Sequence, residues 1–159
     1  YEYIRGRGFS ESDADDLCQD VFVRVLGGKV LESADPDRGK FRTLLLTVTR
    51  RVMIDAARKR RDVTVAEVDE EHTPDDSEFD RVWALQLATR AMRRLGEEGS
   101  PYYQVLVDHL EGKSPSRNKL WIARKKLTAL VRDEVAFTCR TPEEVESELA
   151  RLAPYLKTR

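Results

Sequence analysis

The stretch that decides the fold is SDADDLCQDVFVRVLGG, residues 12–28. Its apolar side chains recur every three or four residues, which is the period of one face of an α-helix. They are Ala14, Leu17, Cys18, Val21, Phe22 and Val25. Ser12 followed by Asp15 predicts the start of this helix, because the pair satisfies backbone N–H groups that have no partner within the helix. Gly27-Gly28 predicts its end.

The same helical period continues through most of the chain. It predicts further helices over about 41–61, 79–95, 101–111 and 117–137, and a last one opened by Thr141-Pro142. No segment of convincing length alternates with the two-residue period of a strand. The sequence therefore predicts an all-α protein.

A break in this pattern divides the chain. Residues 62–80 contain nine Asp or Glu and no Lys or Arg, and most of this stretch has no sustained apolar period. Such a composition is typical of a solvated linker. We therefore predict a helical module over residues 1–62, an acidic linker over 63–78 and a second helical module over 79–159.

The formal net charge of −1 conceals two strongly basic blocks. Residues 38–61 hold nine Lys or Arg and one Asp, and residues 113–132 hold seven Lys or Arg and no acid. Like charges crowded on one helix repel each other unless an anion relieves them. The two blocks predict two surfaces that bind nucleic acid.

Catalytic and metal-binding patterns were not found. His72 and His109 have no partner at a useful spacing, and Cys18 and Cys139 match no metal motif. There is no glycine-rich phosphate loop, and no apolar run reaches the length of about 20 residues of a membrane span. We therefore expect a protein that is not an enzyme, needs no metal or cofactor, and acts in the cytoplasm at the nucleoid.

The second basic block opens like a helix that reads DNA. Ser116, Arg117, Asn118 and Lys119 follow directly after a turn. Arg, Asn and Lys pair with guanine and adenine edges in the major groove, and the first turns of a recognition helix carry such side chains. Trp121 follows on the same helix, and we expect it to be packed rather than in contact with DNA.

Two segments of the first module resemble those of a known family. The sequence DADDLCQDVF, residues 13–22, closely resembles the core-binding helix of extracytoplasmic-function sigma factors, which form group 4 of the sigma-70 family. The sequence GKFRTLL, residues 39–45, with Arg50, Asp55 and the basic run 58–61, is similar to their promoter-melting and −10-recognition segment. More weakly, ARKKL at 123–127 resembles the basic end of their −35-reading helix.

The resemblance implies a function. The chain would be a transcription initiation factor with a region 2-like and a region 4-like helix-turn-helix module. It would bind core RNA polymerase, melt and read the −10 element, and read the −35 element. Its partners would be core RNA polymerase, promoter DNA and an anti-sigma factor.

The resemblance also implies contact residues. On the polymerase side they are Asp16, Gln19 and Asp20. Leu17, Val21 and Phe22 are expected mainly in the core, with part of that face, including Leu17 and Phe22, shared with the contact. For −10 DNA they are Arg38, Lys40, Arg42, Arg50, Arg51, Arg58, Lys59 and Arg60, with the loop 35–40 as the rim of a base pocket. For −35 DNA they are Ser116, Arg117, Asn118, Lys119, Arg124 and Lys125.

The chain departs from the family in three places. The family usually has Trp at the position of Leu44 and often Asn at that of Arg51, which leaves the −10 base preference open. A helix-turn-helix needs about twenty residues, and only residues 112–115 separate the helix at 101–111 from the basic helix. We therefore expect about ten further residues between Pro115 and Ser116, and the family's first helix ahead of Tyr1.

Two other functions fit parts of the pattern. A helix-turn-helix regulator that acts without polymerase explains both basic blocks but not the acidic helix. A helical adaptor that binds acidic partners explains the charge but needs no DNA. Binding to core polymerase and binding to DNA separate these alternatives from a sigma factor.

Overall fold

The computed structural model describes residues 1–27, 41–59 and 76–156. Within these ranges the chain is helical and has no strand, as the sequence predicts. The helices are α1 (Glu2–Gly6), α2 (Glu11–Leu26), α3 (Phe41–Lys59), α4 (Asp76–Glu97), α5 (Pro101–Leu110), α6 (Arg117–Ala136) and α7 (Pro142–Leu156). None of them is long and apolar enough to cross a lipid bilayer.

Two compact units divide the chain, unit 1 over Tyr1–Val82 and unit 2 over Trp83–Arg159. The division falls within α4, whose first turns belong to unit 1. The predicted linker over 63–78 lies outside the described residues, except for its last three residues, which are helical. The start of α4 is helical because it makes contacts within unit 1. Glu78 pairs with Arg7 at 3.3 Å, and the ring of Phe79 meets that of Tyr3 edge to face at 5.2 Å.

The start of α2 differs from the prediction by two residues. Ser10, not Ser12, is the N-cap, and its side chain accepts a hydrogen bond from the backbone N–H of Asp13 at 3.2 Å. Ser10 and Asp13 have the same spacing as Ser12 and Asp15, so the pattern alone did not distinguish the two pairs. The end of the helix agrees with the prediction, because Gly27 is its C-cap.

The core of unit 1 lies between α2 and α3. The buried side of α2 consists of Ala14, Leu17, Val21 and Val25. It faces α3, where Leu46, Val48, Val52 and Met53 are buried. Burial of each Val, Leu or Met side chain contributes roughly 1.5–3 kcal/mol, so this contact stabilises the unit strongly.

Unit 2 is built around α6, which packs against α5 and α7. One core cluster consists of Ala91, Leu95, Leu106, Ala123, Leu130 and Val131. A second consists of Ala84, Leu87, Val135, Val145 and Leu152. The last helix begins as predicted, since the Thr141 hydroxyl accepts from the backbone N–H of Glu144 at 3.3 Å. The buried residues of α7 are Val145, Glu148 and Leu152.

Residues 111–116 connect α5 to α6. Gly112 has a φ of +83°, and the backbone N–H of Lys113 donates to the carbonyl of Asp108 at 2.8 Å. This is the αL ending that stops a helix where a glycine permits it. The six-residue connection contains no further helix, and the expected extra residues between Pro115 and Ser116 stay a prediction.

Candidate nucleic-acid and protein interfaces

The outward side of α2 begins with polar and acidic residues. Asp16, Gln19 and Asp20 follow the spacing that places residues on one side of a helix, and all three are exposed. No Lys or Arg lies in α2 before Arg24. This part of the helix therefore offers negative charge to a basic partner.

The same helix continues with exposed apolar residues. Phe22 is 61% exposed, Val23 70% and Leu26 75%. Three large apolar side chains grouped on a solvent-facing helix are typical of a surface that another protein covers. We call Asp16, Gln19, Asp20, Phe22, Val23 and Leu26 the α2 contact face.

Two expectations for α2 need correction. Leu17, expected to be shared between the core and a contact, is buried at 7% exposure and offers little to a partner. Phe22, expected mainly in the core, points outward. The physical reason is the helical period, because Ala14, Leu17, Val21 and Val25 complete the buried stripe without it.

The second half of α3 presents cations. Arg51, Arg58 and Lys59 are exposed and Arg50 is half-buried; we call these four residues the α3 basic surface. The acid nearest in sequence, Asp55, pairs with Arg24 of α2 at 2.8 Å. Within the described ranges, neither Arg51 nor Lys59 has an acidic partner. Arg38, Lys40, Arg60 and the loop 35–40 lie outside the described residues.

Arg42 was expected on the DNA surface, and that expectation is wrong. Its side chain is 3% exposed and forms a buried ion pair with Asp80 in the first turns of α4. A guanidinium loses much hydration on burial and needs a charged partner there. Arg42 therefore holds α3 to the start of α4 and does not face a ligand.

A cavity of about 170 Å³ lies between α2 and α3. Its charged lining is balanced, with Asp20 and Asp55 against Arg24 and Lys59. In the part of the chain that the structure describes, no group of His, Cys, Asp and Glu could hold a metal ion. The cavity therefore shows no preference for an anion or a cation.

Unit 2 carries its positive charge on α6. Ser116, Arg117, Asn118, Lys119, Arg124 and Lys125 are all exposed, and we call them the α6 basic face. Of the seven bases in residues 113–132, Lys113 pairs with Asp108 and Glu111, and Arg132 pairs with Glu146. The other five have no acidic partner among the described residues. Their charge is available to an external anion.

The start of α6 strengthens this positive potential. Ser116 is the N-cap but makes no side-chain cap hydrogen bond, and the first turn contains no acid. The backbone N–H groups at a helix start carry partial positive charge, and Arg117 and Lys119 add to it. The first turn of α6, which carries Asn118, is therefore well suited to bind a phosphate group.

The turn before α6 is held by charge. Lys113 Nζ lies 2.9 Å from Asp108 Oδ1 and 2.7 Å from Glu111 Oε2. The hydrogen bond from Lys113, with a second from Gln104, lowers the pKa of Asp108. Hydrogen bonds to Glu111 and Asp108 raise the pKa of Lys113. Lys113 is therefore engaged in the turn, and the α6 basic face begins after it.

Sequence reasoning misplaced Trp121. It is 56% exposed, and Lys125 Nζ lies over its ring, 4.1 Å from the centroid. The signal was present, because Leu120, Ala123, Leu127 and Leu130 already supply the buried stripe of α6. Val23 and Leu26 were also missed, and they too lie outside the stripe of their helix. Nothing in the sequence indicated that Asp80 pairs with Arg42.

Comparison with known families gives one match. Residues 1–63 match the model of Sigma-70 region 2. The match covers the first 63 of the 159 residues and lies within unit 1. No curated protein and no solved structure matches the chain.

Proposed function

We propose that this chain, whose first 63 residues match sigma-70 region 2, is a group 4 extracytoplasmic-function sigma factor. It binds core RNA polymerase, brings it to a promoter, opens the −10 element and reads the −35 element. The observation that carries the proposal is the coincidence of the family match with unit 1. The residues that match include both the α2 contact face and the α3 basic surface.

The α2 contact face is the proposed polymerase contact. Asp16 and Asp20 supply charge that steers association with a basic surface. Phe22, Val23 and Leu26 supply apolar area, and the burial of such area drives most protein association. An interface with an apolar centre and polar neighbours has the usual composition of a stable protein contact.

The α3 basic surface is the proposed −10 contact. Opening DNA requires no covalent chemistry, only stabilisation of the separated strand. Unstacking costs a few kcal/mol per base, and capture of the bases with neutralisation of the backbone offsets that cost. Arg50, Arg51, Arg58 and Lys59 supply the cations, and we propose that Arg38, Lys40 and Arg60 add to them.

The α6 basic face is the proposed −35 contact. Arg117, Asn118 and Lys119 are of the types that read base edges, and Arg124 and Lys125 are suited to phosphates. All are exposed on one helix whose start favours anions. In this arrangement the start of α6 enters the major groove and its later turns lie beside the backbone.

Transcription in vitro tests the proposal. The full chain is mixed with core polymerase and a promoter library, and the transcripts are sequenced. Initiation from templates that share −10 and −35 elements is the expected result, and no stimulation over core enzyme alone would contradict it. DNA binding without polymerase binding would instead identify a regulator that acts alone. A chain that neither binds DNA nor stimulates transcription would be identified as a helical adaptor.

A further inference from the structure

An exposed indole lies within the α6 basic face. Trp121 is 56% exposed, although tryptophan is usually among the more buried residues of a folded protein. The core of unit 2 does not need this side chain, because its neighbours Leu120 and Ala123 take the positions in the apolar cluster. A large aromatic side chain left on the surface in this way is typical of a binding contact.

The surroundings of the indole are cationic. Arg117 lies four residues before Trp121, and Arg124 and Lys125 follow three and four residues after it, so all share one side of the helix. Lys125 Nζ stands 4.1 Å from the ring centroid. This cation–π contact covers one face of the ring and restricts its rotation. Trp121 is 56% exposed with this contact in place, so a large part of the indole stays accessible.

The charge around Trp121 indicates whether its partner is a protein or DNA. A protein that covered Trp121 would also cover Lys125, and lysine is depleted from the centre of protein interfaces. A DNA backbone would pair with the same cations and release counterions. The cations around Trp121 therefore favour DNA over protein as the partner of this side chain.

We propose that Trp121 is a DNA contact, in which its exposed indole lies against the apolar wall of the groove. That wall consists of deoxyribose carbons and thymine methyl groups, and Lys125 meets a phosphate beside it. The inference rests on the proposed reading of −35 DNA by α6. It adds an apolar, shape-sensitive contact to a set of contacts that is otherwise polar.

Fluorescence of the indole tests the contact directly. The chain has two tryptophans, and Trp83 lies against the core of unit 2, so W83F leaves Trp121 as the only reporter. The full-length variant is titrated with 30-base-pair duplexes that wild-type protein selects from a random library. We expect acrylamide quenching of the indole to fall about twofold on binding. Unchanged quenching at saturating DNA would overturn the proposal.

Affinity and its salt dependence provide the second measurement. W121A should weaken duplex binding about fivefold, as expected for loss of an aromatic contact, without a change in the salt slope. K125A should weaken binding and reduce the slope by about one. The control is F137A. Phe137 follows directly after α6, lies outside the basic block and is 82% exposed. It should bind as the wild type does.

The outcomes separate this inference from the proposed function. If R117A and K119A weaken binding but W121A does not, the Trp121 contact is wrong and −35 reading stands. If none of the three changes binding, or no duplex is selected, −35 reading by α6 fails and the inference fails with it. If W121A leaves DNA binding intact but weakens binding to core polymerase, the indole contacts protein and the proposal is overturned.

Discussion

The exposed sides of α2 and α6 have opposite chemistry. The α2 contact face combines acids with Phe22, Val23 and Leu26. The α6 basic face combines cations with Trp121 and contains no acid. Both helices bury a complete apolar stripe on their other side, so neither exposed set is required for folding. In the proposed function, the residues that packing leaves exposed select the partner, a protein for α2 and DNA for α6.

The largest expected effect comes from charge reversal on α2. D16K with D20K should abolish assembly with core polymerase, because two attractive contacts beside the apolar centre of the proposed interface become repulsive. Co-elution with core polymerase measures it, and circular dichroism checks that the helices persist. The matched control is E97K with E98K, which makes the same change of charge at the end of α4. Assembly of the α2 variant at wild-type strength would refute the protein contact.

The second effect concerns stability and separates a buried arginine from exposed ones. D80A leaves Arg42 buried without its carboxylate, and loss of one partner of a buried pair costs about 3–5 kcal/mol. R51A removes an exposed cation and should change the free energy of unfolding by less than about 0.5 kcal/mol. Urea denaturation of both variants measures the difference. Equal stability of D80A and wild type would show that the pair is not structural.

A smaller effect is expected on promoter opening. R51A with K59A should slow opening while assembly with polymerase is retained, since these two cations have no acidic partner among the described residues. Each lost phosphate contact should also reduce the salt slope of DNA binding by about one. Permanganate footprinting of the opened strand reports the effect. A normal footprint in the double variant would mean that these side chains are only solvated.

The smallest effect concerns the turn before α6 and depends on pH. Because the pKa of Asp108 is lowered, its contribution to the free energy of unfolding is present above its unfolded pKa of about 3.9. That contribution is lost as the pH falls through the folded pKa. The raised pKa of Lys113 makes its contribution present below about 10.4 and lost as the pH rises through the folded pKa. K113Q should therefore lower the Tm at pH 7, and by less at pH 3. A constant difference in Tm between those pH values would contradict this account.

Much of the fold could be predicted from the sequence, because the helical period is a local property of the chain. The buried residues of α2 follow directly from the spacing of Ala14, Leu17 and Val21, and Thr141 begins α7 as its motif predicts. The ends of helices were less certain. Asp76 and Glu78 looked like linker, and only contacts in unit 1, such as that of Glu78 with Arg7, explain why the helix starts there.

The residues of the candidate sites could be predicted from the sequence where the helical period determines their exposure. They could not be predicted where exposure depends on a partner far away in the sequence. Arg51 and Arg117 are exposed because of their helix positions. Arg42 looked equivalent to them, but Asp80, 38 residues later, draws it into the core. Pairs so far apart in sequence leave no mark on local pattern, so charge counting alone overstates a binding surface.

Hydroxyl-radical footprinting tests the central claim most directly, because Phe22 and Trp121 are both exposed and both readily oxidised. The full chain is footprinted alone, with core polymerase, and with core polymerase and promoter DNA. The account predicts that polymerase protects Phe22 and leaves Trp121 reactive, and that added DNA then protects Trp121. Protection of Trp121 by polymerase alone, or a Phe22 that stays reactive in the complex, would contradict it.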